Sequence, residues 1–197
     1  MRKLTILLFV EDKAQEFFLK PLLARLSRDA GADVSISVRS ASRGFGRVKQ
    51  KLEQLFQAWR RDQHALPDLI VAAADANSVG YNQRRKEILD AAGDLADHVV
   101  VAIPDPYIER WLLLDSQAFK EVIGQGCPAP DRVYEKERYK QLLSDAVRSA
   151  GIDPALGGLE YAEDLANALN FQTLANQDKG FKNLCRDFRQ ALRRLTR

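Results

Sequence analysis

Four short apolar runs, at residues 4–10, 34–38, 69–74 and 98–103, are each separated from the next by a longer stretch of helical character. This alternation limits the folds open to the chain more than any other feature. The runs of Leu, Ile, Val and Ala suit strands covered on both faces. Strands alternating with helices predict an α/β fold with a mainly parallel central sheet of about four strands and flanking helices.

The stretches between the runs support that reading. Asp12 is placed to cap a first helix with Gln15 at the capping-box position, and Phe17, Phe18, Leu22, Leu23 and Leu26 form its apolar stripe. Pro21 is expected to kink or restart that helix. A second helix begins near Gly46 and ends before Pro67, with Val48, Leu52, Leu55, Phe56 and Trp59 spaced three and four apart. A third covers residues 82–92. Beyond Pro104-Asp105-Pro106 a helix starts at Ile108, with Asp115-Ser116 placed to interrupt and recap it. From there the pattern is helical only, with amphipathic segments at 135–150, 161–169 and 178–195. The expected organisation is an α/β core over residues 1–125 and a helical C-terminal extension over 126–197 packed on it.

Several classes of protein are disfavoured. No run approaches the roughly 18 consecutive apolar residues of a membrane span, and residues 4–10 lack a signal-peptide cleavage pattern and end in Glu11-Asp12. Cys127 and Cys185 stand alone, without metal-ligand spacing. The expectation is a cytoplasmic protein with no membrane partner. A formal net charge of +3 is too mild to identify a nucleic-acid protein. The distribution of charge says more. Arg39, Arg43, Arg47, Lys49 and Lys51 lie together, and the last helix carries Lys182, Arg186, Arg189 and further arginines against Asp187 alone. Such runs serve either as solvated helix faces or as contacts to phosphates; the candidate nucleic-acid-binding residues are Arg39, Arg43, Arg47, Lys49, Lys182, Arg186 and Arg189.

Ligands of open parallel sheets bind outside the carboxyl ends of the strands. Glu11 follows the first run, Asp75 the third with Asn77 two residues on, and Asp105 the fourth with Glu109 one helical turn later. Each has a structural alternative: Glu11 or Asp12 at a helix start, an Asx turn at Asp75-Ala76-Asn77-Ser78, a solvated helix face for Glu109. Together they place acids at one sheet edge, where repulsion calls for a cation, and oxygen ligands without His or Cys suit Mg²⁺ (or Mn²⁺). Candidate metal ligands are therefore Asp75, Asn77, Asp105 and Glu109.

Weaker signals are a glycine- and arginine-containing loop at residues 42–47, more in keeping with a plain loop than a phosphate cradle, and isolated His64 and His98, read as surface or core residues. Trp59 and Trp111 read as core. Tyr107 adjoins the acidic edge.

The order ILLFVEDKAQEFFLKPLL, then DLIVAAADAN, then VVVAIPDPYIERWLLLD resembles the Toprim domain of topoisomerases, primases and overcoming-lysogenization-defect nucleases. It is most similar to small bacterial Toprim-like proteins, often tied to phage defence, that pair an early Glu with a later IExWLLxD segment. The resemblance covers residues 4–115. It implies a Mg²⁺-dependent phosphodiester enzyme, a nuclease, in phage defence or DNA maintenance. Glu11 would be the catalytic general acid or base and Asp75 the first metal position. The partners implied are nucleic acid, DNA before RNA, and a partner protein of a defence system. Two positions depart from the family: Asp12 stands where a glycine usually follows the glutamate, and Asn77 replaces the second aspartate. They keep open an alternative, a non-catalytic module that binds nucleic acid or a partner. A third reading, a receiver-like signalling domain, meets an overlong Glu11 to Asp75 interval and the absence of the expected Ser or Thr after the fourth run.

Overall fold

A computed structural model describes residues 2–41, 45–61, 66–135 and 137–196, except for the side chains of Phe45 and Arg47. Arg43 and His64 lie outside the described residues, as do the other two residues of 42–44. The strands are β1 (Leu4–Val10), β2 (Val34–Ser40), β3 (Leu69–Ala73) and β4 (Val99–Ala102). They form one parallel sheet in the order β2-β1-β3-β4. The α/β fold with a four-stranded parallel sheet is thus the one the apolar runs predict.

Side chains alternate between two cores, as the period-2 geometry of a strand demands. Ile6, Leu8 and Val10 of β1, with Val71 and Ala73 of β3, face one core; Leu7 and Phe9, with Ile70 and Ala72, face the other. The first core is covered by α1 (Lys13–Asp29) and by helices that follow β4, the second by α2 (Phe45–Arg61) and α3 (Gly80–Ala92). β2, at one edge, is covered on one face only: Val34, Ile36 and Val38 pack inward while Ser35, Ser37 and Arg39 are exposed.

After β4 come α4 (Ile108–Leu113), α5 (Ser116–Ile123), α6 (Arg138–Ser149), α7 (Ala162–Ala168), α8 (Phe171–Gln177) and α9 (Lys179–Leu195). Residues beyond 126 share the first core with α1 and the sheet: Leu143, Leu165, Phe181 and Phe188 belong to it. Asp115 recaps the chain as expected, its Oδ1 accepting from the N–H groups of Gln117 and Ala118, and its Oδ2 also accepts from Asn170 N–H at 2.8 Å. That carboxylate ties the start of α8 to the end of α4.

The expected restart at Pro21 does not occur, and α1 is continuous through it. Phe18, Leu19, Leu22, Leu23 and Leu26 are all fully buried. Burial of each contributes about 1.5–3 kcal/mol, which together outweighs the ~3 kcal/mol cost of an interior proline. Among the described residues no helix is long and apolar enough to cross a membrane.

Candidate functional site: a carboxylate edge and a basic groove

The strand order reverses between β1 and β3. β2 lies on one side of β1, and β3 with β4 on the other. In open parallel sheets that reversal leaves a crevice at the carboxyl ends of the two strands where the connections part. Glu11 leaves β1 there and Asp75 follows β3 there.

The residues between them are tightly ordered. Asp12 caps α1, its Oδ1 accepting from Gln15 N–H at 3.0 Å. The reciprocal arm of the box is displaced by one residue: Gln15 Oε1 accepts from the N–H of Glu11, at 2.9 Å, and its Nε2 donates to Asp75 Oδ1 at 3.1 Å. Gln15 is fully buried. It links the two strand ends through one side chain, a role that its sequence position alone did not reveal.

Asp75 is buried, and its carboxyl is held well above the ordinary range by burial first, then by the charges of Glu109, Glu11 and Asp12; the Gln15 bond opposes the shift. Glu109, in the first turn of α4, is also buried and its carboxyl is raised, chiefly by burial, with Asp12 and Glu137 adding to the shift while its own backbone N–H and Lys140 oppose it. Tyr107 lies within the field of Asp75 and Glu109, and its hydroxyl is raised by burial and by both charges. Glu109 and Glu11 therefore both act electrostatically on Asp75.

A second residue missed by the sequence reading is Arg84. Buried on α3, it donates from Nε to the Asp75 carbonyl at 3.0 Å and pairs with Glu87 at 2.8 Å. Burial lowers its pKa, and Glu87, Glu11 and Asp75 hold it up. It sets a positive charge behind the carboxylates. Asn77 has φ 50°, a left-handed conformation that asparagine tolerates better than most residues. Its Nδ2 donates to the Asp75 carbonyl and its N–H to the Pro106 carbonyl. Asn77 thus shapes the turn, leaving Oδ1 as its atom for a cation.

Asp105 has different partners. Its Oδ2 accepts from Arg132 at 3.3 Å, and its charge raises the carboxyl of buried Asp178, which pairs with Arg110 at 2.9 Å. Burial is the largest cause of the Asp178 shift, with Arg110 opposing it. No group of three His, Cys, Asp or Glu side chains among the described residues stands ready to hold a metal. The donors at the β1/β3 crevice are nonetheless all oxygen. Mg²⁺ keeps several waters and commonly takes one or two protein carboxylates plus substrate phosphate. Asp75 with Glu109 fits that smaller requirement.

The basic residues divide as well. Lys49 pairs loosely with Glu53 and Arg39 is exposed at the end of β2. In the same region Lys51 donates to the Ala41 carbonyl, and Arg60 to Asp94 and the Ala92 carbonyl, so these two cations serve the fold. The α9 residues instead meet at one feature. Lys182, Arg186 and Arg189 line a groove of about 1240 Å³ beside β4, together with Arg85, Arg193 and Arg194. Trp59 and Trp111 are core residues and His98 is exposed.

Comparison with protein-family models, with curated proteins and with solved structures returned no match. The fold and the arrangement of side chains therefore carry the functional reading.

Proposed function

We propose that this is a Toprim-like, Mg²⁺- or Mn²⁺-dependent enzyme acting on nucleic-acid phosphodiesters, a nuclease, with phage defence or DNA maintenance as its setting. The observation that supports it best is the placement of Glu11 and buried Asp75 just after the carboxyl ends of the adjacent strands β1 and β3, with buried Glu109 close enough to raise the Asp75 carboxyl. Carboxylates brought together in a crevice disfavour one another's charge unless a cation joins them, and perturbed acids in clefts mark functional sites. Asp75 and Glu109, with the amide oxygen of Asn77, would hold the cation, and Asp105 would add its Oδ1, the oxygen that Arg132 does not hold. The cation would neutralise charge on the phosphodiester and orient water. Glu11, directly after β1, would carry the proton to or from the reacting oxygen. Gln15 would fix Asp75 relative to the Glu11 backbone, and Arg84 would hold the Asp75 main chain.

A second reading, a binding module without catalysis, is favoured by the turn-forming side chain of Asn77 and by the lack, among the described residues, of a ready-made group of three carboxylates. One experiment separates the two. Purified protein is incubated with single- and double-stranded DNA and RNA in Mg²⁺, Mn²⁺ or chelator, alongside Glu11→Gln. Metal-dependent cleavage that is lost in chelator and falls at least a hundredfold in Glu11→Gln supports the enzyme. Binding without cleavage of any of the four substrates rejects it in favour of the module.

A further inference from the structure

The groove beside β4 is built differently from the carboxylate edge. α9 runs against β4 from the carboxyl end of that strand, where Gly180 lies on the Ile103 carbonyl, to its amino end, where Arg194 donates to the Asp97 carbonyl. Lys182, Arg186, Arg189 and Arg193 follow one another at intervals of four, three and four residues, which puts them on one face of the helix. Arg85 on α3 faces the same groove.

Six cations line the groove against two carboxylates, Asp97 and Asp187. Asp187 is taken by Arg186 at 2.8 Å. Among the described residues Arg85, Lys182, Arg189 and Arg193 have no carboxylate partner within ion-pair distance, although the first two and Arg193 are exposed. Arg189 is positioned by a ring instead: its guanidinium stands 5.5 Å from the centre of Phe171, which also carries Arg25 at 4.2 Å. Arg25 is itself anchored to the Ala166 and Leu169 carbonyls. Like charges gathered on this scale destabilise the free protein, and a polyanion relieves them.

The rest of the lining narrows the choice of polyanion. Partly exposed Phe171, Ala175 and Val99 lie among the basic residues. A duplex keeps its base faces inside the stack, whereas a single strand presents phosphates to cations and base faces to rings such as Phe171. From Lys182 to Arg193 the stripe is about 16 Å long at 1.5 Å per residue. That length matches about three to five phosphates of a single strand, whose spacing is 3.4 Å or more.

We infer that the groove formed by α9, α3 and the β4 edge is a binding site for the backbone of single-stranded nucleic acid. This deepens the reading of the protein as a nucleic-acid enzyme and rests on it for the class of polymer, but not for metal or catalysis.

The test is fluorescence anisotropy with a labelled oligothymidylate in chelator, so that cleavage plays no part. The wild-type protein binds, and its log affinity falls linearly with log salt. The Lys182→Ala/Arg186→Ala/Arg189→Ala variant binds at least tenfold more weakly, with a salt slope smaller by about 2, since each lost phosphate contact removes about 0.7. Arg85→Glu, on a different helix, weakens binding in the same direction and keeps the test valid if the α9 variant misfolds. A duplex of equal length binds at least tenfold more weakly than the single strand. No binding, equal binding by both variants and wild type, or equal affinity for duplex, heparin or anionic vesicles overturns the inference. Because metal is absent, failure here leaves the cleavage assay standing, and failure of cleavage leaves this result standing.

Discussion

Gln15 donates to Asp75 Oδ1 across the gap between two parallel strands while accepting from the N–H of Glu11, so one fully buried amide fixes both strand ends. Gln15→Ala removes both bonds and is expected to cost about 1–3 kcal/mol, the penalty for buried polar groups left unpaired. Gln15→Glu keeps an acceptor for Glu11 but sets a carboxylate against Asp75. It should be the more destabilising of the two at neutral pH and should recover on acidification. Urea denaturation at pH 7 and pH 5 checks this; a Gln15→Glu protein as stable as wild type at pH 7 would show that the amide bridge carries no weight.

Asp75 should make the fold less stable as pH rises. Its folded carboxyl is held above the ordinary value, which is near 3.9. Between the ordinary and the raised value the folded state retains a proton that the unfolded state has lost, so stability falls with rising pH through that interval and the full penalty remains above it. Asp75→Asn removes the penalty and still offers an oxygen to Gln15. The variant should match wild type in acid, exceed it at pH 7, and show a shallower slope, with Glu109 and Asp178 retaining shifts of the same sign. Mn²⁺ should stabilise wild type more than Asp75→Asn. Loss of stability at pH 7 in the metal-free variant, with cleavage intact, would make Asp75 a turn residue and not a ligand.

The sheet was legible because β1, β3 and β4 are short apolar runs largely buried on both faces and β2 alternates apolar residues with serine along one covered face, and β1 begins and ends where its run does. Asp12 and Asp115 were legible as caps because a cap and its partners lie within a few residues. Gln15 and Arg84 were not legible as site residues: Gln15 meets Asp75 from 60 positions away, and Arg84 binds a main-chain carbonyl, which leaves no side-chain signature. Asp105 looked equivalent to Glu109 in sequence because both follow β4. Its engagement with Arg132 depends on the loop after α5, whose path no local pattern gives. On α9 the helical spacing showed a basic stripe, but Arg85 joins it only through the packing of α3 beside β4.

The Arg110–Asp178 pair should respond to pH in opposite directions according to which partner is removed. Both side chains are buried, at 2.9 Å, and Asp178 also caps α9 through Phe181 N–H. Arg110→Ala strands a buried carboxylate, at about 3–5 kcal/mol at neutral pH. That loss should shrink as pH falls, because burial already raises the Asp178 carboxyl and removing Arg110 takes away a cause that lowers it. Asp178→Asn keeps an acceptor for the cap, and because burial raises the Asp178 carboxyl in spite of Arg110, wild type loses stability with rising pH where the variant does not, so the cost of this substitution should be largest in acid and shrink toward neutral pH. Denaturation midpoints of both variants at pH 7 and pH 4 are the check, and parallel pH curves would sink this account.

Gly180 should be the least replaceable glycine among the described residues. A Cβ there would stand 2.0 Å from the Ile103 carbonyl oxygen and 3.0 Å from Asp178 Oδ1. The carbonyl cannot easily retreat: on its two sides Ala102 and Pro104 accept from the N–H groups of Ala74 and Ala76, at 3.2 and 2.9 Å. α9 would have to move instead, although Phe181, Leu184, Phe188 and Leu192 fasten it to the core. Overpacking of this kind costs about 1–3 kcal/mol, occasionally more, while the higher helix propensity of alanine returns at most about 1 kcal/mol. Gly180→Ala should therefore lower the urea midpoint and, by displacing the basic stripe, weaken oligothymidylate binding as well. Gly46→Ala is the matched control: it lies in α2 with nothing within 4 Å of the added carbon, and should be neutral or slightly stabilising. If Gly180→Ala proves as stable as Gly46→Ala, α9 does not sit against the end of β4 as described, and the groove built on that contact loses its wall.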